Sequence, residues 1–462
     1  MTRIFPFLCW FTRKENVAVC LIAAIVLVLH LLIITKPTHM VFDENAYVPA
    51  AKSFLTGGPL LNPEHPPLGK ELIATGILFF GDNAIGWRLP SIIFGTASIF
   101  IFYLICIQLV RKEVTTEENN GLGGDSPGLL QTNSWFKMKI FVPVFATFLF
   151  AFENLSFIEA HVATLDVFYV SLMLLGFLLY LRGNYWSCGI AMGLSILCKV
   201  MAIFGLLTII LHWAITHRHE IALDLRRIVN ILRNKINSPH FKVLLNMSKL
   251  LITVVVLWFV LLPLLEYPAT HTLINPISRA IDMLRYHLEG NSISHPSFVV
   301  TTPWSWVLSP ISLVYWPGGY LDNGHLVQST DFLNYIYFAA TSWNIWVLII
   351  PSILYSAYEV IKFHVIKRSV ATFVLSWFLC VYILLIPLEL ITNRRMYTFY
   401  FYPAIPAVCL AIAWSAWKLW SVMRREKKRR VIFLCTLVIY IASSVVIFFF
   451  MSPFGGHLIL HV

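Results

Sequence analysis

A short stretch near the N-terminus gathers side chains whose types and spacing suit group-transfer chemistry. Asp43 and Glu44 are adjacent carboxylates, and His65 and Lys70 follow within the same segment, 41–73. A carboxylate can take a proton from a hydroxyl group, and a lysine ammonium can hold an anion such as a phosphate. Two prolines come directly after His65 and favour an extended backbone there. The segment therefore predicts a polar site in a chain that is otherwise poor in charge.

Membrane helices are the elements that must position these residues. The chain has 462 residues, of which 58% are hydrophobic and 12% are charged, and its mean hydropathy is +0.76. A soluble protein of this length would expose more polar side chains. Apolar runs of about twenty residues, the length that crosses a bilayer, recur along the sequence. The predicted fold class is all-α: a polytopic helical membrane protein.

Charge distribution predicts how the helices cross the bilayer. The net charge of +11 comes largely from short basic loops such as 424–430, which is typical of the positive-inside bias and does not support nucleic-acid binding. Two short crossings within 188–215, turning near Lys199, would keep these loops on one side and give about 11 transmembrane helices. The candidate spans are 17–35, 87–110, 138–153, 162–181, 188–215, 249–268, 340–361, 370–391, 397–420 and 431–451.

This topology suggests three parts. Residues 1–268 form a transmembrane module that includes a first outer loop, 36–86. Residues 269–339 form a second outer loop, and residues 340–462 form a C-terminal module of four membrane helices. The eight cysteines are scattered and include no Cys-x-x-Cys pair, so neither a disulfide nor a zinc site is expected.

The polar residues allow a structural interpretation as well as a functional one. Asp43 and Glu44 could simply begin a helix, because acidic residues favour the first turn. Lys199 and Asp166 are predicted at membrane depth, where an ionisable group usually has a partner or a function. A buried ion pair that only fixes helix packing is one possibility, and a binding site is the other.

Several motifs in combination resemble the protein O-mannosyltransferase family, which are membrane enzymes of the GT-C glycosyltransferase architecture. The matching blocks occur in the family's order and span most of the chain: "FDENAY" (42–47), "HPPLGKELIATGILFFGDNAIGWRLPSIIFGT" (65–96), "LDVF" (165–168), "GLSILCKVMAIFG" (193–205), "TPWSWVLSPISLVYW" (302–316) and "YTFYFYPAIP" (397–406). The family's eleven-helix topology agrees with the number of spans predicted from charge.

The chain also departs from the family pattern. Eukaryotic members carry β-trefoil domains in the second outer loop, and the segment between Tyr267 and Asn344 is too short for that insert. The chain thus resembles a compact archaeal or bacterial member. Many members have an arginine five residues before the aspartate of the "LD" motif, and here that position is His161. Some members work as dimers, so a dimer is an expectation.

The resemblance implies an inverting enzyme that transfers mannose from a dolichyl or polyprenyl phosphate to Ser/Thr hydroxyl groups of proteins. A phosphate is a good leaving group, so one base and cations for the phosphate suffice. The lipid-phosphate sugar is then a substrate, and neither a cofactor nor a metal is expected. The implied residues are Asp43 as base, with Glu44 orienting Asp43 or the acceptor; His65, Lys70, Arg88, Asp166, Lys199 and Arg395 for the donor; and Trp304 and Trp306 for the acceptor.

Other functions remain open from the sequence. A GT-C transferase of the aminoarabinose or glycan type would use a polyprenyl-phosphate sugar with a lipid or glycan acceptor. A metal-dependent oligosaccharyltransferase is disfavoured because its Trp-Trp-Asp-Tyr-Gly signature is absent. A transporter would place polar groups near the bilayer midplane in repeated halves, and here they gather at one face. The expected location is the plasma membrane with the site outside, or the endoplasmic reticulum membrane in a eukaryote.

Overall fold

The computed structural model describes ten stretches of the chain: 14–119, 129–222, 242–289, 301–309, 313–315, 319–322, 325–328, 337–362, 369–392 and 396–455. Helices dominate these stretches. They are α1 (Lys14–Ile33), α2 (Glu44–Thr56), α3 (Leu68–Phe80), α4 (Ala84–Asn119), α5 (Leu129–Ala151), α6 (Asn154–His161), α7 (Asp166–Leu181), α8 (Tyr185–Cys198), α9 (Ile203–Thr216), α10 (Lys242–Thr270), α11 (Pro276–Glu289), α12 (Ser305–Leu308), α13 (Trp343–Trp346), α14 (Ile349–Lys362), α15 (Ser369–Phe378), α16 (Leu385–Thr392), α17 (Ile405–Met423) and α18 (Lys427–Met451).

The prediction of a helical membrane protein is confirmed. Seven helical segments of the described chain are long and apolar enough to cross a bilayer, and α5 and α6 together form an eighth that bends by 60°. Three shorter apolar helices, α7, α8 and the segment of α9, complete the set. Counted together, these segments number eleven, which is the count that the positive-inside bias predicts.

The predicted turn near Lys199 is also present. Helix α8 ends at Cys198, and Lys199 itself is extended, with φ −156° and ψ 130°. A short 3-10 turn, Val200–Ala202, then leads into α9. The ammonium of Lys199 pairs with Asp166 at the start of α7, so the break brings the ends of two short helices together.

In their described residues, the segments 36–86 and 269–339 contain helices and two small β elements that the sequence did not predict. Strands β1 (Leu313–Val314) and β4 (Phe338–Ala339) pair antiparallel, as do β2 (Gly319–Asp322) and β3 (His325–Gln328). The side-chain amide of Asn154, at the start of α6, donates to the carbonyl of Phe338 at 2.6 Å. The second outer segment is thereby fixed to the membrane helices.

Small residues allow the membrane helices to approach closely. A Cβ added at Gly95 of α4 would lie 2.3 Å from the Cβ of Ala160 on α6. A Cβ added at Gly189 of α8 would lie 2.6 Å from Thr253 on α10. Close backbone contact of this kind is how helices gain van der Waals packing in lipid, where the hydrophobic effect does not drive helix association.

Candidate active site

Asp43 stands at the entrance to α2, where the chain leaves the loop that follows α1. Its side chain is half-buried, and its carbonyl accepts from the amides of Ala46 and Tyr47. The preceding residue, Phe42, has φ +44°, a left-handed conformation that costs a residue with a Cβ about 1–2 kcal/mol. The Phe42 ring stacks on Tyr315, with centroids 4.3 Å apart and planes 3° apart. That stack holds the strained turn and thereby the direction of Asp43.

Glu44 is fully buried, and four donors surround its carboxylate. Arg88 donates from Nε and from Nη2, each at 2.9 Å. The amides of Val41 and Ala163 also donate at 2.9 Å. A carboxylate with both oxygens so occupied is a poor acceptor for a substrate proton. In this geometry Glu44 anchors the Asp43 turn to α4 and to the segment before α7.

Arg88 uses the rest of its guanidinium on the loop that follows α1. Nη1 donates to the carbonyls of Ile34 and Pro37 at 3.1 Å and 2.8 Å, and Nη2 donates to that of His39 at 3.0 Å. Since Arg88 is fully buried and its donors are committed, it organises the loop. The role of Arg88 in binding the donor phosphate stays a prediction.

Lys70 is likewise occupied. It is fully buried, and its ammonium donates to the carbonyls of Leu61, Asn62 and His65 at 3.4 Å, 2.9 Å and 3.0 Å. Burial lowers the pKa of Lys70 to about 8, which Glu266 opposes. Its three N–H bonds fix the turn that ends in His65, and its role as a phosphate ligand stays a prediction.

Lys199 and Asp166 form a buried charged pair that is close enough to Asp43 to influence the pKa of that carboxyl. The ammonium lies 2.6 Å from Asp166 Oδ2, and both side chains are about 1% exposed. The rings of Phe399 and Tyr400 lie 5.1 Å and 5.4 Å from the ammonium. The second oxygen of Asp166, Oδ1, is buried without a hydrogen-bond partner in the described chain. An incoming polar group would find both a cation and an open acceptor here.

The environment of Asp43 makes its carboxyl a weaker acid than usual. Burial raises the pKa of Asp43 to about 6, while the positive charge of Lys199 and a hydrogen bond from the Tyr47 hydroxyl oppose that rise. Burial also raises the pKa of Tyr47 well above its usual value. The phenol therefore stays protonated and donates a hydrogen bond to the Asp43 carboxylate. A carboxylate with a pKa this close to neutral is better suited to accept a proton than an ordinary aspartate.

His65 lies beside Tyr47, the tyrosine that donates to Asp43. It is buried, and its ring centroid lies 5.9 Å from that of Tyr47. Glu64, directly before it, is near enough to Asp43 to influence the pKa of that carboxyl. The loop 57–67 therefore lies beside the Asp43 carboxyl, and a role of His65 in binding the donor stays a prediction.

Trp304 and Trp306 differ in exposure. Trp304 is 37% exposed and lies at the start of α12, whereas Trp306 is 2% exposed. The Trp306 indole donates to Thr301 Oγ1 at 2.7 Å, and Thr301 pairs with Met396. Trp304 is thus the one of the two with a surface for an acceptor. Arg395 lies outside the described residues.

His161 packs into a buried aromatic group. Its Nδ1 lies 3.3 Å from His30 Nδ1, and its ring centroid lies 5.6 Å from that of Tyr337. Position 161, where the resemblance implies an arginine in many members, is therefore a histidine packed among His30, Phe157 and Tyr337.

The structure adds two residues that the sequence did not single out as a site. The Tyr315 hydroxyl donates to Glu159, and the other oxygen of Glu159 accepts from Thr164 at 3.0 Å. Arg279 of α11 pairs with Glu266 at 2.8 Å and donates to the carbonyl of Pro63 at 2.6 Å. The tyrosine lies in the quoted motif 302–316, which was the available signal, but no spacing rule places Arg279 beside residue 63.

No group of three or more His, Cys, Asp and Glu side chains is arranged to hold a metal ion within the described ranges. The absence of a metal and of a cofactor stays a prediction. The site offers one carboxyl group with a pKa of about 6, one lysine and several aromatic rings.

Comparisons with known proteins agree with this architecture. No protein-family model matches the chain. It is 34% identical over 152 residues to the polyprenol-phosphate-mannose–protein mannosyltransferase of Corynebacterium glutamicum, a match that covers 29% of each protein. The matched segment thus spans under a third of that relative.

Two solved structures share the fold over nearly the whole chain. The Saccharomyces cerevisiae protein O-mannosyltransferase Pmt1-Pmt2 complex bound to the sugar donor superposes with TM-score 0.68 and 14% identity, covering 96% of this chain and 91% of that one. ArnT from Cupriavidus metallidurans bound to undecaprenyl phosphate gives 0.51 and 15%, covering 96% and 76%. The expected resemblance is therefore confirmed: this chain is similar in sequence to polyprenol-phosphate-mannose–protein mannosyltransferases and has the fold of the GT-C membrane glycosyltransferases.

Proposed function

We propose that this protein is an inverting mannosyltransferase that uses a polyprenyl or dolichyl phosphate donor and Ser/Thr hydroxyl groups of proteins as acceptors. The observation that carries the proposal is Asp43, a half-buried carboxylate with its pKa raised to about 6, near the Lys199–Asp166 pair. Similarity to polyprenol-phosphate-mannose–protein mannosyltransferases supports the choice of mannose, lipid phosphate and protein acceptor.

In the proposed reaction, the acceptor oxygen attacks the anomeric carbon of mannose from the face opposite the phosphate. The new carbon–oxygen bond forms as the carbon–oxygen bond to phosphate breaks, and the lipid phosphate leaves with that electron pair. Asp43 takes the hydroxyl proton, which raises the nucleophilicity of the oxygen. Lys199 is the described cation best placed to oppose the negative charge on the phosphate, and Arg395 remains a second candidate.

The proposal includes an outward-facing site. The loops that carry Asp43 and Tyr315 leave one end of the helix bundle, and the basic loop 424–430 lies at the other end. By the positive-inside bias the basic end faces the cytoplasm. The site would then face the outside of a plasma membrane or the lumen of the endoplasmic reticulum, and a dimer remains an expectation from the family.

A transfer assay with purified protein tests the proposal. Labelled mannosyl polyprenyl phosphate is offered with a Ser/Thr-rich peptide, and we expect labelled peptide with the wild type. Asp43→Asn should abolish transfer without loss of thermal stability, because the amide cannot accept the proton. Asp82→Asn is the matched control, since Asp82 is an exposed aspartate paired with Lys52. Normal turnover by Asp43→Asn would reject the base assignment.

A second candidate is a GT-C transferase with a lipid or glycan acceptor, which is favoured by the similarity to ArnT over 96% of the chain. The same assay discriminates between the two. Label that enters an added lipid or glycan acceptor, with none in the peptide, would replace protein glycosylation by this activity.

A further inference from the structure

At the end of the bundle opposite Asp43, helices α1, α5, α17 and α18 surround an apolar groove of about 660 Å3. This volume lies within the range of about 300–1,000 Å3 that is usual for small-molecule sites. Aromatic and aliphatic side chains line the groove, including Phe141, Phe145, Trp417, Trp420, Leu434 and Leu437.

Side-chain contacts between α18 and its neighbours lie on either side of the groove. In the C-terminal half of α18, Asn344 Nδ2 donates to Ser444 Oγ at 2.8 Å, and the Tyr440 hydroxyl donates to the Asn344 carbonyl at 3.1 Å. At the opposite end, the ring of Phe433 packs on Trp420 with centroids 5.3 Å apart. The walls between these points are apolar, so an occupant must offer hydrocarbon to them.

Positive charge stands at the mouth of the groove. Segment 424–430 contains six basic residues and one acidic residue, and all seven side chains are exposed. The acid, Glu426, pairs with Arg429 at 3.0 Å, so most of the positive charge is left for a partner. On the facing wall Lys139 is exposed directly before Ile140, which lines the groove.

We propose that this groove binds one anionic glycerophospholipid, with an acyl chain along α18 and the phosphate headgroup on the cluster 424–430. Charge complementarity selects the headgroup, because each basic residue near the membrane surface strengthens binding to an anionic lipid by about fivefold. The groove is separate from the proposed donor site. It is lined by Ile22 in the first half of α1, whereas the other end of α1 leads to Asp43.

The test is native mass spectrometry of the detergent-purified full chain with added phosphatidylglycerol or phosphatidylcholine. We expect one phosphatidylglycerol to bind at least about tenfold more tightly than phosphatidylcholine, given several basic residues at the mouth. Arg425→Gln/Arg430→Gln should lower that affinity by about tenfold or more. The matched control, Arg111→Gln/Arg182→Gln, removes two exposed arginines on other helices and should change the affinity by less than about twofold.

A second pair of variants tests the groove itself. Leu437→Trp fills the groove and should abolish tight binding, whereas Val438→Trp, on the adjacent position that is 65% exposed, should not. Thermal melting without added lipid checks that each variant folds. Equal binding of the two phospholipids, or equal loss in the arginine control, would overturn the proposal. Displacement of phosphatidylglycerol by polyprenyl phosphate at equal concentration would also overturn it.

Discussion

Asp43 and Glu44 are neighbours in sequence, yet their surroundings give them different tasks. Glu44 accepts from Arg88 and from two backbone amides, so its oxygens are occupied. Asp43 is half-buried and accepts a hydrogen bond from Tyr47, which leaves it access to a substrate. Adjacent side chains at a helix start point in different directions, so Glu44 supports the turn while the more accessible Asp43 is the proposed base.

The raised pKa of Asp43 predicts a pH dependence. The base must be deprotonated, and with a pKa of about 6 only about a tenth of the carboxyl is ionised at pH 5. We expect kcat/KM for transfer to fall about tenfold from pH 7 to pH 5. The measurement is a pH series with wild type, with melting curves at each pH to separate activity from unfolding. A rate that stays flat down to pH 5 would contradict the assignment.

Tyr315 gives a second prediction at the residue scale. Tyr315→Ala removes the stack on Phe42, so the strained turn should relax and displace Asp43. A displacement of about 1 Å can cost about a hundredfold in rate, and we expect kcat to fall by about tenfold to a hundredfold with little change in donor KM.

Tyr315→Phe is the matched control for that variant. It keeps the aromatic stack and loses only the hydrogen bond to Glu159, which should lower the free energy of unfolding by about 1–3 kcal/mol while kcat stays nearer to wild type. Steady-state kinetics and thermal melting measure the two effects. An equal loss of kcat in both variants would show that the stack does not position Asp43.

At the scale of elements, the break between α8 and α9 presents Lys199 to the site. The chain is extended at this residue, and its ammonium pairs with Asp166 at the start of α7. In a continuous helix, the side chain at position 199 would lie along the surface of that helix. It would then not point toward the start of α7. The interruption thus converts two helix ends into one charged pair.

Lys199→Met tests whether that pair serves the donor or only packing. Loss of the lysine leaves Asp166 buried without its partner, which should cost about 3–5 kcal/mol of stability. Lys199→Met/Asp166→Asn removes both charges and should recover most of that stability. We expect donor KM to stay raised and kcat to stay low in the double variant, with acceptor KM less affected. Recovery of normal kinetics together with stability would support a packing role.

At the scale of the whole molecule, several segments that are distant in sequence meet at one end of the bundle. The loop after α1, the loop 57–67 and the segment around Tyr315 all contact residues near Asp43. Arg279 of α11 joins this group through Glu266 and the carbonyl of Pro63. These links cross more than two hundred residues of sequence, so the site forms only when the helices have assembled.

Accessibility labelling tests the direction in which this end faces. In a variant without reactive native cysteines, Lys52→Cys should react with a membrane-impermeant thiol reagent applied from outside intact cells. Arg425→Cys should react only after the cells are permeabilised. Both positions are exposed, so differences in burial do not explain the pattern. The reverse pattern would place Asp43 on the cytoplasmic side and remove the basis of the proposed donor chemistry.

Much of this architecture could be predicted because its causes are local. Apolar length defines the helices, charge bias defines their direction, and Lys199 marks the break in an apolar run. The hydrogen-bond partners of Arg88 and Lys70 were not predictable, because their donors meet carbonyl groups of two loops, 34–39 and 61–65, whose paths no local rule gives. The two β pairs and the contact of Arg279 with Pro63 likewise depend on tertiary packing.

The short helices have a consequence for the substrates. Helix α7 has 16 residues and α8 has 14, lengths of about 24 Å and 21 Å, whereas the hydrocarbon layer is about 30 Å thick. In the proposed orientation Asp166 and Lys199 lie at the outward ends of these helices, and we expect the shortfall in length to place them below the surrounding lipid surface. In the proposed reaction the lipid-linked sugar already lies at this level of the membrane. A hydrophilic acceptor segment has to enter the membrane surface to reach it. We therefore expect the proposed transferase to modify unfolded, extended polypeptide rather than residues on a folded globular surface.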